Sequence, residues 1–128
     1  MLINANSANK KGLVYPELSY KITGLIFKIQ NDMGRLCREK QYCDRLEKLL
    51  QENNIKYKRE AVDNDGDRFD FLIEDIMVLE IKAKQIVIKE DYYQLKRYLE
   101  INNLKLGLLV NFRNRYLKPK RILNSKID

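Results

Sequence analysis

The chain contains no histidine, so it cannot assemble a Ser-His-Asp triad, a Cys-His pair or a histidine-bearing zinc site by itself. Its only two cysteines, Cys37 and Cys43, stand six apart on an expected helix. That spacing puts them on different faces and matches no metal-ligand pattern, so they read as ordinary reduced thiols. No apolar run approaches the roughly 18 residues of a membrane span. The start, MLINANSANKKG, lacks the apolar centre of a secretory signal and reads as a short mobile polar arm over residues 1–14. The expected location is the cytoplasm, with no membrane partner. There is no internal repeat. Chemistry, if there is any, has to run on carboxylates, lysine and a metal ion.

What is present is one domain's worth of chain: 128 residues, 45% apolar and 34% charged. A chain of this length buries roughly two-thirds of its unfolded surface around one core, and residues 15–128 are expected to form that single domain. Lysine and arginine number 25 against 18 acidic residues, a net charge of +7 that suits a polyanion such as nucleic acid.

The periodicity changes along the chain. Leu18, Ile22, Leu25, Ile26, Ile29 and Met33 make one helical stripe after Pro16, which suits a first helical turn. Gly34 interrupts it. A second helix is expected from about Arg35 to Asn53, with the stripe Leu36, Cys43, Leu46 and Leu50. Glu39 falls in that stripe, where a carboxylate costs energy unless it meets a cation or a donor. From Ile55 the period becomes two, and a polar turn is expected around Gly66. Arg68–Ile73 and Ile76–Lys84 read as a hairpin, residues 89–101 as a helix, LKLGLLVNF as a buried strand, and the basic RNRYLKPKRIL as a last short strand or edge. The order α-α-β-β-β-α-β, with a possible short final β, implies an α/β fold: a mixed sheet flanked by helices.

Along Val78–Ala83, alternation puts Glu80 and Lys82 on one face and Leu79 and Ile81 on the other. The spacing Glu-x-Lys has no value alone, and an ion pair on the solvated side of an edge strand is one reading. Asp70, near the start of the preceding apolar strand, supplies the other. Folding the hairpin around residues 74 to 76 brings it level with Glu80. Two carboxylates and a lysine at the end of a buried sheet suit a hard cation such as Mg²⁺ or Mn²⁺. Parity constrains this reading. A two-residue loop pairs Ile73 with Ile76 and sends Asp70 away from Glu80, whereas a three-residue connection with Ile73 opposite Met77, or a bulge before Asp70, brings them together.

The series Glu39, Asp70, Glu80-Ile81-Lys82 and Gln94 resembles the PD-(D/E)XK nuclease superfamily, and within it the bacterial GxxExxY proteins. Matching stretches include ELSYKITGLIFKIQNDMG, REKQYCDRLEKLL, DFLIEDIMVLEIKAK, KEDYYQLKRYL and LKLGLLVNFRNRYLKPKRI, spanning about residues 15 to 123. Glu39 and Tyr42 keep the Glu-x-x-Tyr spacing, but Leu36 stands where the family motif has glycine, and Phe69 stands where the superfamily has proline. The resemblance implies a restriction-endonuclease-like fold and hydrolysis of phosphodiester bonds in nucleic acid, foremost DNA. It also implies Asp70, Glu80 and the carbonyl of Ile81 as ligands of Mg²⁺ or Mn²⁺, Lys82 to position or polarise water, Gln94 to orient the site and Glu39 to add a carboxylate. A catalytically silent protein of this fold that binds nucleic acid or a protein is the alternative, and self-association is open. Arg113, Arg115, Lys118, Lys120 and Arg121 are candidates for phosphate contacts. Tyr92, Tyr93 and Tyr98 could stack on bases, although Tyr92 shares a helical face with Leu95 and Leu99 and reads more readily as core.

Overall fold

A computed structural model of the chain describes residues 14–62 and 68–126. The expected N-terminal arm and the turn around Gly66 lie outside the described residues, apart from Val14 at the arm's end. Helix α1 spans Pro16–Met33, with proline in its first turn and Ile22, Ile26 and Ile29 buried along one side. Gly34, at φ 79°, closes it by donating its N–H to the Gln30 carbonyl. This is a conformation that glycine adopts at little cost.

Helix α2 runs over Glu39–Glu52, four residues shorter at its start than the apolar spacing implied. The side chain of Gln41 accepts from the Arg38 N–H at that start. Leu36 is therefore not in the helix and is 77% exposed. The buried stripe is Tyr42, Cys43, Leu46, Leu49 and Leu50.

Strands β1 (Tyr57–Val62), β2 (Arg68–Ile73) and β3 (Met77–Lys82) form an antiparallel meander. Helix α3 (Lys89–Asn102) crosses to β4 (Leu106–Asn111), which lies parallel to β3, and β5 (Lys120–Leu123) closes the sheet antiparallel to β4. The five strands lie side by side in chain order. Parallel strands need such a helical crossover, and flanked strands buried on both sides read as continuous apolar runs. Every residue of β4 is buried.

Helices α1 and α2 cover one face through a core that includes Ile26, Tyr42, Leu46, Phe71, Leu79, Ile81 and Val110. Helix α3 covers the other, where Leu95, Tyr98 and Leu99 meet Phe69, Val78 and Leu109. Gly107 sets how near α3 comes, because a Cβ there would stand 3.1 Å from Leu95 side-chain atoms.

Candidate active site

The β2–β3 hairpin decides where the charged residues go. Ile76 donates its N–H to the Ile73 carbonyl across a turn whose central residues, Glu74 and Asp75, both have positive φ. The ladder nevertheless starts at Ile73 opposite Met77, so Ile76, expected in the strand, is the extra residue that sets the parity. The pairs Ile73–Met77, Leu72–Val78 and Phe71–Leu79 follow. Beyond Phe71 the backbone ladder stops and side chains replace it. The Asp70 N–H donates to Glu80 Oε1 at 3.2 Å, and the Ile81 N–H donates to Asp70 Oδ2 at 2.6 Å.

β2 also changes face here. Phe71 packs under α1 and α2 whereas Phe69, two residues away, packs under α3 against Tyr98. No residue is inserted, because Arg59–Phe71 and Ala61–Phe69 keep one register. Instead Glu60, facing Asp70 between those pairs, takes φ 55°. A left-handed glutamate costs roughly 1–2 kcal/mol.

Glu80 and Lys82 project toward α3, and β3 is an interior strand, so the solvated edge pair is corrected to a buried one. The Lys82 Nζ lies 3.3 Å from Glu80 Oε2, with side chains 17% and 14% exposed. Burial, reinforced by the negative charge of Asp70, pushes the Glu80 carboxyl up to about 7. Burial also raises Asp70, although the Ile81 N–H works against it. Burial disfavours the Lys82 ammonium, but Glu80 and Asp91 beside it outweigh that and hold its pKa above the usual lysine value. Two carboxylates thus face each other, and Lys82 is bridged to Glu80 of the pair.

Asp91, in the first turn of α3, is the residue that sequence reasoning missed. One carboxylate oxygen accepts the Ile88 N–H at 2.8 Å and lies 2.6 Å from Lys84 Nζ, while the other is 3.8 Å from Lys82 Nζ. Burial would raise its pKa, but Lys84 and the Ile88 N–H overcome this and lower it. The Glu80-x-Lys82-x-Lys84 alternation was the available signal, because it puts a second cation on the same face in need of an acid.

Glu39 corrects the stripe argument. It is the first residue of α2 and is exposed. It does not meet Lys82 in a salt bridge, but lines a cavity of about 320 Å³ with Lys40, Cys43, Arg59, Glu60 and Asp70. Burial drives the Cys43 thiol far up, so it stays protonated in this cavity. Tyr42 is structural: its ring stacks on Phe112 at 4.1 Å and its hydroxyl donates to the Gly34 carbonyl at 2.6 Å. This ties the α1–α2 connection to the end of β4.

Gln94 is exposed on α3, three residues after Asp91 and so on the same side of the helix. Among the tyrosines, Tyr98 is buried, Tyr92 packs against the same cluster and Tyr93 is exposed. The basic set divides. Arg121 is drawn toward α1, donating to Ser19 Oγ and the Val14 carbonyl, whereas Lys118 and Lys120 lie exposed on the α3 side. Alternation along β5 separates Lys120 from Arg121. Arg113 is half-buried and Arg115 exposed, its guanidinium over the Tyr116 ring.

Among the described residues no group of three or more acidic or cysteine side chains converges tightly enough to hold a metal. Asp70 and Glu80 are the acidic pair. No described helix is long and apolar enough to cross a membrane. No curated protein and no solved structure matches the chain. A family model does, over residues 16–122, which covers both cores and the whole Asp70–Glu80–Lys82 arrangement. On that match the chain belongs to the PD-(D/E)XK nuclease superfamily.

Proposed function

We propose that the protein is a nuclease of the GxxExxY branch that hydrolyses phosphodiester bonds of nucleic acid, DNA foremost, with Mg²⁺ or Mn²⁺. The observation that carries this reading is the Asp70–Glu80 pair. Two largely buried carboxylates take the place of ladder bonds and face each other, and Lys82 bridges to one of them, Glu80. Their chemistry fits a divalent cation, because hard oxygen donors with raised proton affinity are charge-deficient in cations. Asp70, Glu80 and the Ile81 carbonyl would hold it, and Glu39 stands in the adjoining cavity. When bound, such a cation stabilises the charge that develops on the phosphate.

The protein's own groups do the rest. Lys82 presents a fixed ammonium to a phosphate oxygen or to water, and stays charged at neutral pH because Glu80 and Asp91 flank it. Asp91 faces Lys82 from the α3 side and pairs with Lys84. Glu80 is placed by its bond to the Asp70 N–H, so the acids orient each other.

Thermal unfolding with and without metal tests the reading. Mn²⁺ or Mg²⁺ at a hundredfold excess over Kd is expected to add about 2.7 kcal/mol, and Asp70→Asn to abolish the gain. Cleavage of mixed DNA and RNA substrates is run alongside. A metal gain without cleavage on any substrate would favour the silent binding module, and no gain in either protein would remove the metal site.

A further inference from the structure

A second cavity, of about 360 Å³, lies on the α3 side of the sheet. That is the size of a small-ligand site (roughly 300–1,000 Å³). Its floor includes Leu109 and Asn111, the β4 residues registered opposite Glu80 and Lys82. Its wall includes Tyr92, the neighbour of Asp91. Asn111 is clamped to the end of β3: its amide donates to the Lys84 carbonyl at 2.7 Å, and its oxygen accepts the Lys84 N–H at 3.1 Å. The cavity is therefore one strand away from the acidic pair and rigidly joined to it.

The lining is chemically one-sided. It contains no carboxylate. Lys118 and Lys120 are exposed at it, and neither makes an ion pair among the described residues. By contrast, Lys82 and Lys84 both have acidic partners. Tyr116 is 78% exposed with the Arg115 guanidinium 5.9 Å from its ring centre, and Ile86 also stands out of the surface. Gln85 and Asn114 add amide groups. Two free cations suit a phosphate. An exposed tyrosine in a concave wall suits the face of a base, and carboxamides suit base edges. A base within a duplex presents only its edge, so the concavity can take a base only once it is unstacked.

We infer that this cavity receives one unstacked nucleotide of a single strand, its phosphate on Lys118 and Lys120 and its base against Tyr116, next to the bond presented to Asp70 and Glu80. The substrate is then single-stranded, or opened where it is cut. This rests on the reading of the protein as acting on nucleic acid.

The test is fluorescence anisotropy with the whole protein in EDTA, where binding is read without cleavage. The probes are labelled single strands of DNA and of RNA, about 12 nucleotides long and within the range of single-strand sites, and the matching DNA duplex. At least one single strand is expected to bind more tightly than the duplex. Tyr116→Ala should weaken it about tenfold, Tyr116→Phe should restore it, and Lys118→Ala with Lys120→Ala should flatten its salt dependence. These positions are exposed, so the variants should melt like wild type. A duplex bound as well as either strand, or affinity indifferent to Tyr116→Ala, overturns the inference, as does failure to bind any single strand. Cleavage with added metal separates the two readings. Binding as expected without cutting removes the nuclease alone, and cutting that ignores Tyr116, Lys118 and Lys120 removes the cavity's role alone.

Discussion

Two ionic clusters lie on the two sides of Asp70, and they are built on opposite rules. In the first, Arg59 bridges Asp44 at 2.7 Å and Glu47 at 2.9 Å, and the Tyr57 hydroxyl donates to the other Glu47 oxygen at 2.7 Å. Each acid meets a donor. Arg59 accordingly lowers Asp44, and Tyr57 followed by Arg59 lowers Glu47. In the second, Asp70 and Glu80 meet each other, and burial raises both. The first cluster completes its pairing with the fold's own donors, whereas the second sets two acids against each other, the arrangement that the proposed cation would complete. Arg59 separates the two, lining the cavity beside Asp70 while both its acids lie on α2.

The contrast is broken most readily by rate measurements. Lys82→Ala should lower cleavage about a hundredfold or more, the usual cost of losing a group that stabilises developing charge, while Glu47→Ala should leave the rate within a few-fold at a temperature where both are folded. Equal losses would erase the distinction.

Acid and base dependence should then separate the clusters by sign. For Glu80 the folded pKa lies above the unfolded one, so the folded state keeps a proton that the unfolded chain has lost. In chelator, the stability of wild type relative to Glu80→Gln should therefore fall as pH rises from about 4.5 to about 7, by an amount on the order of 3 kcal/mol. Glu47 is depressed, so its contribution is present above its unfolded pKa of 4.5 and is lost as pH falls through the lower folded value. Denaturant melts of Glu47→Gln against wild type at several pH values read that opposite slope.

A finer test is Asp91→Asn. Asparagine keeps an acceptor for the Ile88 N–H but no longer balances Lys82 and Lys84. Turnover should drop several-fold with KM little changed, and stability should drop by about 1–2 kcal/mol. A change in stability with turnover untouched would make Asp91 a helix cap only. The smallest effect is expected from Arg59→Lys, which keeps a charge and loses the two-pronged bridge. Melting should show a loss of about 1 kcal/mol or less, with cleavage unchanged.

Much of this was legible because strands repeat every two residues and helices every three or four. The alternation through Val78–Ala83 shows which side chains of β3 share a face, and the parity requirement between Asp70 and Glu80 is met by the Ile73–Met77 register. The failures have local causes. Leu36 mimicked a helical stripe across a break, because apolar spacing does not register that Gly34 and the extended Arg38 keep the chain out of helix until Glu39. The alternation of Glu80, Lys82 and Lys84 signals a cation in need of an acid, but that the acid is Asp91 is a tertiary contact between α3 and the segment after β3, which no spacing within either reveals. The division of Lys120 from Arg121 was within reach, since neighbours on a strand face opposite ways, but it was hidden by reading the basic tail as one patch.

The extra residue at Ile76 has a consequence for inheritance. Connections at a surface commonly tolerate insertion and deletion, and Glu74 and Asp75 are exposed. Yet the register that aligns Asp70 with Glu80 is the one that pairs Phe71 with Leu79 and Ile73 with Met77, all fully buried. Loss of one codon between 74 and 76 would turn one strand's apolar set outward, so the core itself rejects the change. Lineages of this gene should keep the length of that turn while exchanging Glu74 and Asp75 chiefly for residues that tolerate positive φ, such as glycine and asparagine, because selection for folding alone already protects the alignment on which the proposed chemistry depends.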